Sequence, residues 1–180
     1  MTQPDKEQLV VERNLAGDPT IASLLWMLED SRRLTLEAVA GLDVDHLDWE
    51  PAIGGNSVGA LLYHIAAIEM DWLYAEVLTR EPPADVLARF PLDVRDADGH
   101  LARWRGEALP ALSERLTFIR QKLIAVFASM TAENFRRSRT LPDYDVTPEW
   151  VLYHLLEHET AHRGEIGMIK LMAAQAGAPA

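Results

Sequence analysis

Cysteine is absent from the 180-residue sequence, which removes disulfides, thiolate metal sites and cysteine nucleophiles from consideration together. Basic residues are also scarce: 17 Lys and Arg stand against 28 Asp and Glu, a formal charge of -11. That balance argues against nucleic acid or an anionic membrane surface as a partner, since both require clustered cations. No uninterrupted apolar run approaches the length of a membrane span. Met1 to Gly17 carries Asp5, Lys6, Glu7, Glu12 and Arg13 instead of an apolar signal core. A cytoplasmic location and a flexible polar lead-in over residues 1–17 are expected. Internal repeats, low-complexity segments and alternating strand patterns are missing as well.

What remains is helical. A 48% hydrophobic and 25% charged composition suits one soluble globular domain with a real core, expected over residues 18–176. Asp18-Pro19 reads as an N-cap followed by proline at the first helical position, and Ile21, Leu24, Leu25 and Leu28 then recur at helical steps to about Gly41. Pro51, Gly54 and Gly55 make the stretch from Asp43 to Asn56 a loop. Ser57 caps a second helix to about Thr79, with Leu61, Ile65, Ile68 and Trp72 facing inward. Pro82, Pro83 and Pro91 break the region from Glu81 to Gly106, where a short helix is predicted over Ala97 to Arg105. A third long helix carries Leu112, Leu116, Ile119, Leu123, Val126 and Phe127, and Arg136 to Asp145 is a polar connector. Thr147-Pro148 repeats the cap-then-proline signature and opens a fourth helix to about Ala174. The expected fold class is all-α, a four-helix bundle.

The chemistry concentrates in His158-Glu159-Thr160-Ala161-His162, with His154 one turn upstream. Residues four apart on a helix lie on one face, separated by roughly 6 Å of rise, so two imidazoles can converge on one ion. His154, His158 and His162 share a sector with Val151, Leu155, Ile166 and Ile169 and so point inward. His64 shares its face with the apolar stripe of the second helix. Several core-facing imidazoles need partners, because an unpaired buried polar group costs on the order of a few kcal/mol. A shared cation bound by His64, His158 and His162 meets that need and leaves open positions; a hydrogen-bonded histidine network is the alternative. His154 is placed as a cavity-lining residue or a fourth ligand, and His46 and His100 as solvated loop residues.

The same string satisfies His-Glu-x-x-His, in which the glutamate is the general base of a metallopeptidase. Only eighteen residues follow His162, none a histidine, and no strand is evident to hold a peptide. Peptidase activity is therefore the less favoured reading.

Two segments carry a family resemblance: Asn56-Ser57-Val58-Gly59-Ala60-Leu61-Leu62-Tyr63-His64-Ile65-Ala66, and Glu157-His158-Glu159-Thr160-Ala161-His162-Arg163-Gly164-Glu165-Ile166. Together with Leu47-Asp48-Trp49-Glu50-Pro51 before the second helix, they resemble the DinB/YfiT-like family of bacterial metalloenzymes. The likeness runs from about Ile21 to Met172. It implies a four-helix bundle in which one histidine of the second helix and two of the fourth, here His64, His158 and His162, bind a divalent metal ion. Relatives include thiol S-transferases that use low-molecular-weight bacterial thiols and mycothiol-dependent isomerases, and dimers are common among them. Glu165 departs from the pattern, since many relatives have glutamine there.

These readings lead to a metal-dependent transferase or hydrolase whose ion, zinc, nickel or iron, activates water or a low-molecular-weight thiol. The attack is expected in an apolar cavity near Trp72. Glu69 or Glu159 is a candidate proton carrier, with a solvated helix charge as the plainer role. Arg32 or Arg33 is a candidate for an anionic substrate group, with a surface role as the alternative. The competing class is a noncatalytic metal-binding stress-response protein, whose site a fourth protein ligand would close. Thr160, Gly164 and Gly167, flanked by Tyr153 and Leu171, permit close helix approach within the bundle or across a homodimer contact.

Overall fold

The computed structural model describes residues 9–96 and 99–177. Of the expected lead-in, residues 9–17 take no regular helix or strand, and the remainder lies outside the described residues. Helix α1 (Pro19–Val39) starts where the Asp18 carboxylate accepts the Thr20 and Ile21 N–H groups at 2.8 and 3.2 Å, satisfying donors that a helix end otherwise leaves unpaired. A short helix, α2 (Val44–Asp48), interrupts the expected loop. Ser57 Oγ then accepts the Ala60 N–H to cap α3 (Val58–Trp72). Gly59 fits beneath α2 because a Cβ there would meet the Leu47 carbonyl oxygen at 3.1 Å. Instead of continuing to Thr79 as regular α-helix, the chain passes into a π-helical turn, Leu73–Val77, and turns away at Thr79 with φ of 49°.

The connection to α5 (Leu109–Ala128) includes a four-residue helix, α4 (Ala84–Leu87), that the sequence patterning did not indicate. The helix expected over Ala97 to Arg105 is not found among its described residues. Arg95 and Leu101 form an antiparallel bridge, and the Asp96 side chain accepts the His100 N–H at 2.9 Å. Backbone groups that a helix would use are thus committed to a turn. After α5, the chain forms α6 (Ala132–Arg136) just ahead of the expected polar connector, which itself holds a small hairpin of β1 (Arg139–Thr140) and β2 (Asp145–Val146). Thr147 Oγ1 accepts the Trp150 N–H and caps α7 (Pro148–Gln175).

The four long helices form the bundle, with α1 against α7 and α5, and α3 against α5 and α7. Cross-helix pairs fix their directions. Ser31 meets Thr160 and Lys170 meets the Ala38 carbonyl, so α1 and α7 run parallel. Asn56 meets Glu165 and His64 meets His158, so α3 and α7 are antiparallel. Arg120 reaches the Leu28 carbonyl and Arg32 the Leu116 carbonyl, so α1 and α5 are antiparallel and α3 runs parallel to α5. Parallel successive helices require a connection that returns along the bundle, roughly 30 Å for a 20-residue helix, which accounts for the long segment between α3 and α5.

Leu25, Leu28, Leu61, Leu62, Ile65, Leu116, Ile119, Leu123, Leu155 and Ile166 are buried between the helices. Each such side chain contributes about 1.5–3 kcal/mol on leaving water. From Val58 to Ala67, α3 is buried on every side, not only along one stripe, because α2 and the α3–α5 connection cover its outer surface.

Candidate metal centre

His64 projects from the middle of α3, and His158 and His162 from successive turns of α7. The antiparallel packing of α3 on α7 brings their rings together. His158 Nε2 lies 3.2 Å from His64 Nε2 and 3.1 Å from His162 Nε2, and one ligand atom from each residue lies within 4.8 Å of the others. Imidazole nitrogens bound at about 2.0–2.1 Å around a tetrahedral ion sit about 3.3 Å apart, close to both separations.

The alternative, a hydrogen-bonded trio, falls short of protons. The Glu165 Oε2 carboxylate lies 2.9 Å from His162 Nδ1 and places that ring's proton on Nδ1, so its Nε2 presents a lone pair to the centre. His158 Nε2 then has one proton at most for two neighbours. His64 Nδ1 is buried without a well-formed hydrogen bond, although the Val94 backbone is near enough to favour its protonated form. Burial pushes the His64 imidazole down to about 4, with repulsion from His162 and Arg95 adding to it. His158 is pushed down to about 3 by burial, then by the charges that His162, His64 and His154 would carry. Both rings are neutral at pH 7 and available as ligands.

The sequence profile of the DinB superfamily matches residues 27–166, which takes in all three histidines. The chain belongs to the DinB superfamily. A conserved protein from Enterococcus faecalis, known from its crystal structure, shares the fold with a TM-score of 0.67 at 16% identity, over 84% of this chain and 95% of that one. No curated protein matches the sequence significantly.

In this DinB-superfamily chain, Glu165 has a definite place. Its Oε1 accepts from Asn56 Nδ2 at 3.0 Å while its Oε2 holds His162, which ties the start of α3 to the candidate ligand. Such carboxylate–histidine pairs orient metal ligands and raise their basicity. The other histidines stay outside the trio. His154 is stacked on Trp150 and tilted against Trp72, with ring centroids at 4.9 and 4.3 Å, and its centroid is 5.8 Å from that of His158. His46 Nδ1 pairs with the Asp43 carboxylate, and His100 is exposed.

The cavity that borders the trio presents several charged and polar side chains, contrary to the expectation of an apolar one near Trp72. His162 forms part of the wall of a space of about 540 Å³ that also presents Glu50, Asn56, Arg95, His100 and Arg103. The cavity at Trp72 contains none of the three histidines. Antiparallel packing is the reason: Asn56 meets Glu165, the partner of His162, at the start of α3, whereas Trp72 meets Trp150 at its end.

The two glutamates and Arg32 also depart from expectation. Arg32, Glu69, Arg120 and Glu159, one from each long helix, are 6, 2, 3 and 1% exposed and form one ion-pair cluster in the bundle centre. Arg32 Nε donates to Glu159 Oε1 at 2.8 Å and its Nη2 to Glu69 Oε1 at 2.6 Å. Arg120 Nη2 donates to both Glu69 Oε1 and Glu159 Oε2, and its Nη1 to the Leu28 carbonyl. Burial alone would push the Glu159 carboxyl up, but the Arg32 and Arg120 guanidinium ions outweigh it and hold it below the ordinary carboxylate range. Glu159 is thus a poor proton acceptor turned into the core, and Arg32 serves the cluster instead of a substrate. Arg33 is on the surface, paired with Asp30 and Glu37. Sequence patterning missed Arg120; its place among Leu116, Ile119 and Leu123 on the buried face was the available signal.

Proposed function

We propose that His64, His158 and His162 hold a divalent metal ion, zinc, nickel or iron, and that the protein is a metal-dependent enzyme acting on a small molecule in the adjoining cavity. The meeting of three imidazole nitrogens from two helices carries this reading. A divalent ion with three imidazole ligands and open positions lowers the pKa of a coordinated water or thiol toward neutrality, supplying a nucleophile that this cysteine-free chain lacks. Glu165 keeps the His162 proton on Nδ1. Arg95 and Arg103 offer hydrogen-bond donors to an anionic part of the substrate, and Asn56, in the cavity wall, holds Glu165.

Transfer of a low-molecular-weight thiol to an electrophile is the reaction class favoured by the family resemblance; Glu50, a carboxylate in the cavity wall, is neutralised by Arg105 at 2.6 Å. A His-Glu-x-x-His peptidase mechanism is disfavoured because Glu159 is committed to two arginines. The noncatalytic alternative needs a fourth protein ligand, and the packing of His154 against Trp150 and Trp72 speaks against its filling that position. A homodimer contact is proposed along exposed Tyr153, Met168 and Leu171 of α7, whereas Thr160 packs against Ser31 within the bundle.

Metal analysis of protein purified without a histidine tag, followed by a panel of cellular thiols with a generic electrophile, tests the reading. The expected result is one tightly held ion per chain and a metal-dependent rate with at least one thiol. A full complement of metal without any such rate would favour the noncatalytic class. Light scattering coupled to gel filtration tests the dimer, and a monomer at all concentrations refutes it.

A further inference from the structure

A second cavity, also of about 540 Å³, opens where the end of α3 meets the start of α7 and the β1–β2 hairpin. Its walls include Trp72, Tyr144, Asp145, Val146 and Trp150. Trp72 and Trp150 are stacked with centroids 5.3 Å apart, backed by His154. The Tyr144 hydroxyl donates to Glu76 Oε1 at 2.9 Å. Glu76 lies behind Tyr144 and not in the cavity wall; it is 6% exposed, and its other oxygen has no partner. Asp71 and Asp143 also act on Tyr144 electrostatically, and with Glu76 they help to hold its hydroxyl up at about 12, after burial as the first cause. Among the described residues, no Lys or Arg forms an ion pair with Asp71, Glu76, Asp143 or Asp145.

Aromatic faces carry negative potential at their centres and attract cations, the more so where water is excluded. A buried carboxylate without a counter-charge is costly, and burial accordingly pushes both Glu76 and Asp71 up. An inorganic metal ion would gain too little from indole walls to lose its water. An anion would meet the carboxylates, and the positive end of α7 that could attract one is already capped by Thr147. The size falls within the range of about 300–1,000 Å³ usual for small-molecule sites.

We propose that this cavity binds a small organic cation, an alkylammonium or quaternary ammonium group seated against Trp72, Trp150 and Tyr144 and balanced by Glu76 and Asp145. The site is independent of the metal reading, because it shares no residue with the histidine trio.

Calorimetric titration with choline, with its uncharged isostere 3,3-dimethylbutan-1-ol and with the anion 3,3-dimethylbutanoate tests it. Saturable choline binding is expected, about tenfold tighter than the alcohol, with no binding of the anion. Glu76→Gln should weaken choline severalfold and leave the alcohol unchanged, while Trp150→Leu should weaken both. Tyr144→Phe, which keeps the ring but frees Glu76, provides a second probe if either variant folds poorly. Equal affinity for choline and the alcohol, preference for the anion, absence of saturable choline binding, or choline affinity unchanged in all three variants would each overturn the proposal.

Discussion

Arg32 Nε donates to Glu159 Oε1 across 2.8 Å in the centre of the bundle, and Glu159 follows a candidate metal ligand directly in the chain. One turn of α7 therefore faces two ways, with His158 toward α3 and the cavity side and Glu159 toward the buried cluster. Removing one member of such a cluster leaves charges without compensation, so Glu159→Ala is expected to destabilise the fold by about 3–5 kcal/mol. Urea denaturation measures this. A variant of native stability that has lost only catalytic rate would instead return Glu159 to the role of general base.

His64→Ala should abolish tight metal binding and keep the helical content, since the lost ring leaves two ligands on one helix. Elemental analysis and circular dichroism together check the outcome. Full metal occupancy in this variant would refute the three-ligand site.

Glu165→Ala should weaken metal binding by roughly 10–100-fold, the usual effect of losing a residue that orients a ligand. Glu165→Gln should cost less, because its amide oxygen still accepts the His162 Nδ1 proton. Competition with a chelator reads both. Equal affinity in wild type and Glu165→Ala would remove the orienting role.

Metal-free protein should lose stability on acidification. His64 has a folded value of about 4 against an ordinary value of 6.5, and His158 about 3. Between these limits the unfolded chain binds more protons than the folded one, so stability is complete above about pH 6.5 and falls as pH drops toward 4 and then 3. Thermal melts of the chelator-treated protein from pH 7.5 to 4 should show this slope, and His64→Leu should flatten it. A melting temperature that rises on acidification in this range would contradict the assignment.

Much of the fold was legible in the chain because its signals are local. Asp18, Ser57 and Thr147 cap helices whether or not the rest of the molecule is known, and the apolar spacing on α1, α3, α5 and α7 marks buried faces directly. Four-residue spacing likewise aligns His158 with His162 on one helix face. The turn around Asp96 and Gly99 was misread as helix because side-chain capping and a bridge from Arg95 to Leu101 compete there for the same backbone groups.

By itself, then, the sequence determined the four long helices, the caps of three of them and the inward aim of His64, His158 and His162, since each depends on signals within one segment. Only the tertiary structure decided that α3 lies antiparallel to α7. That choice joins the three imidazoles, sends Glu69 and Glu159 to Arg32 and Arg120, and sets Trp72 beside Trp150. Helix order and direction come from how four apolar faces pack together and from a long return connection, and no single helix encodes its neighbours.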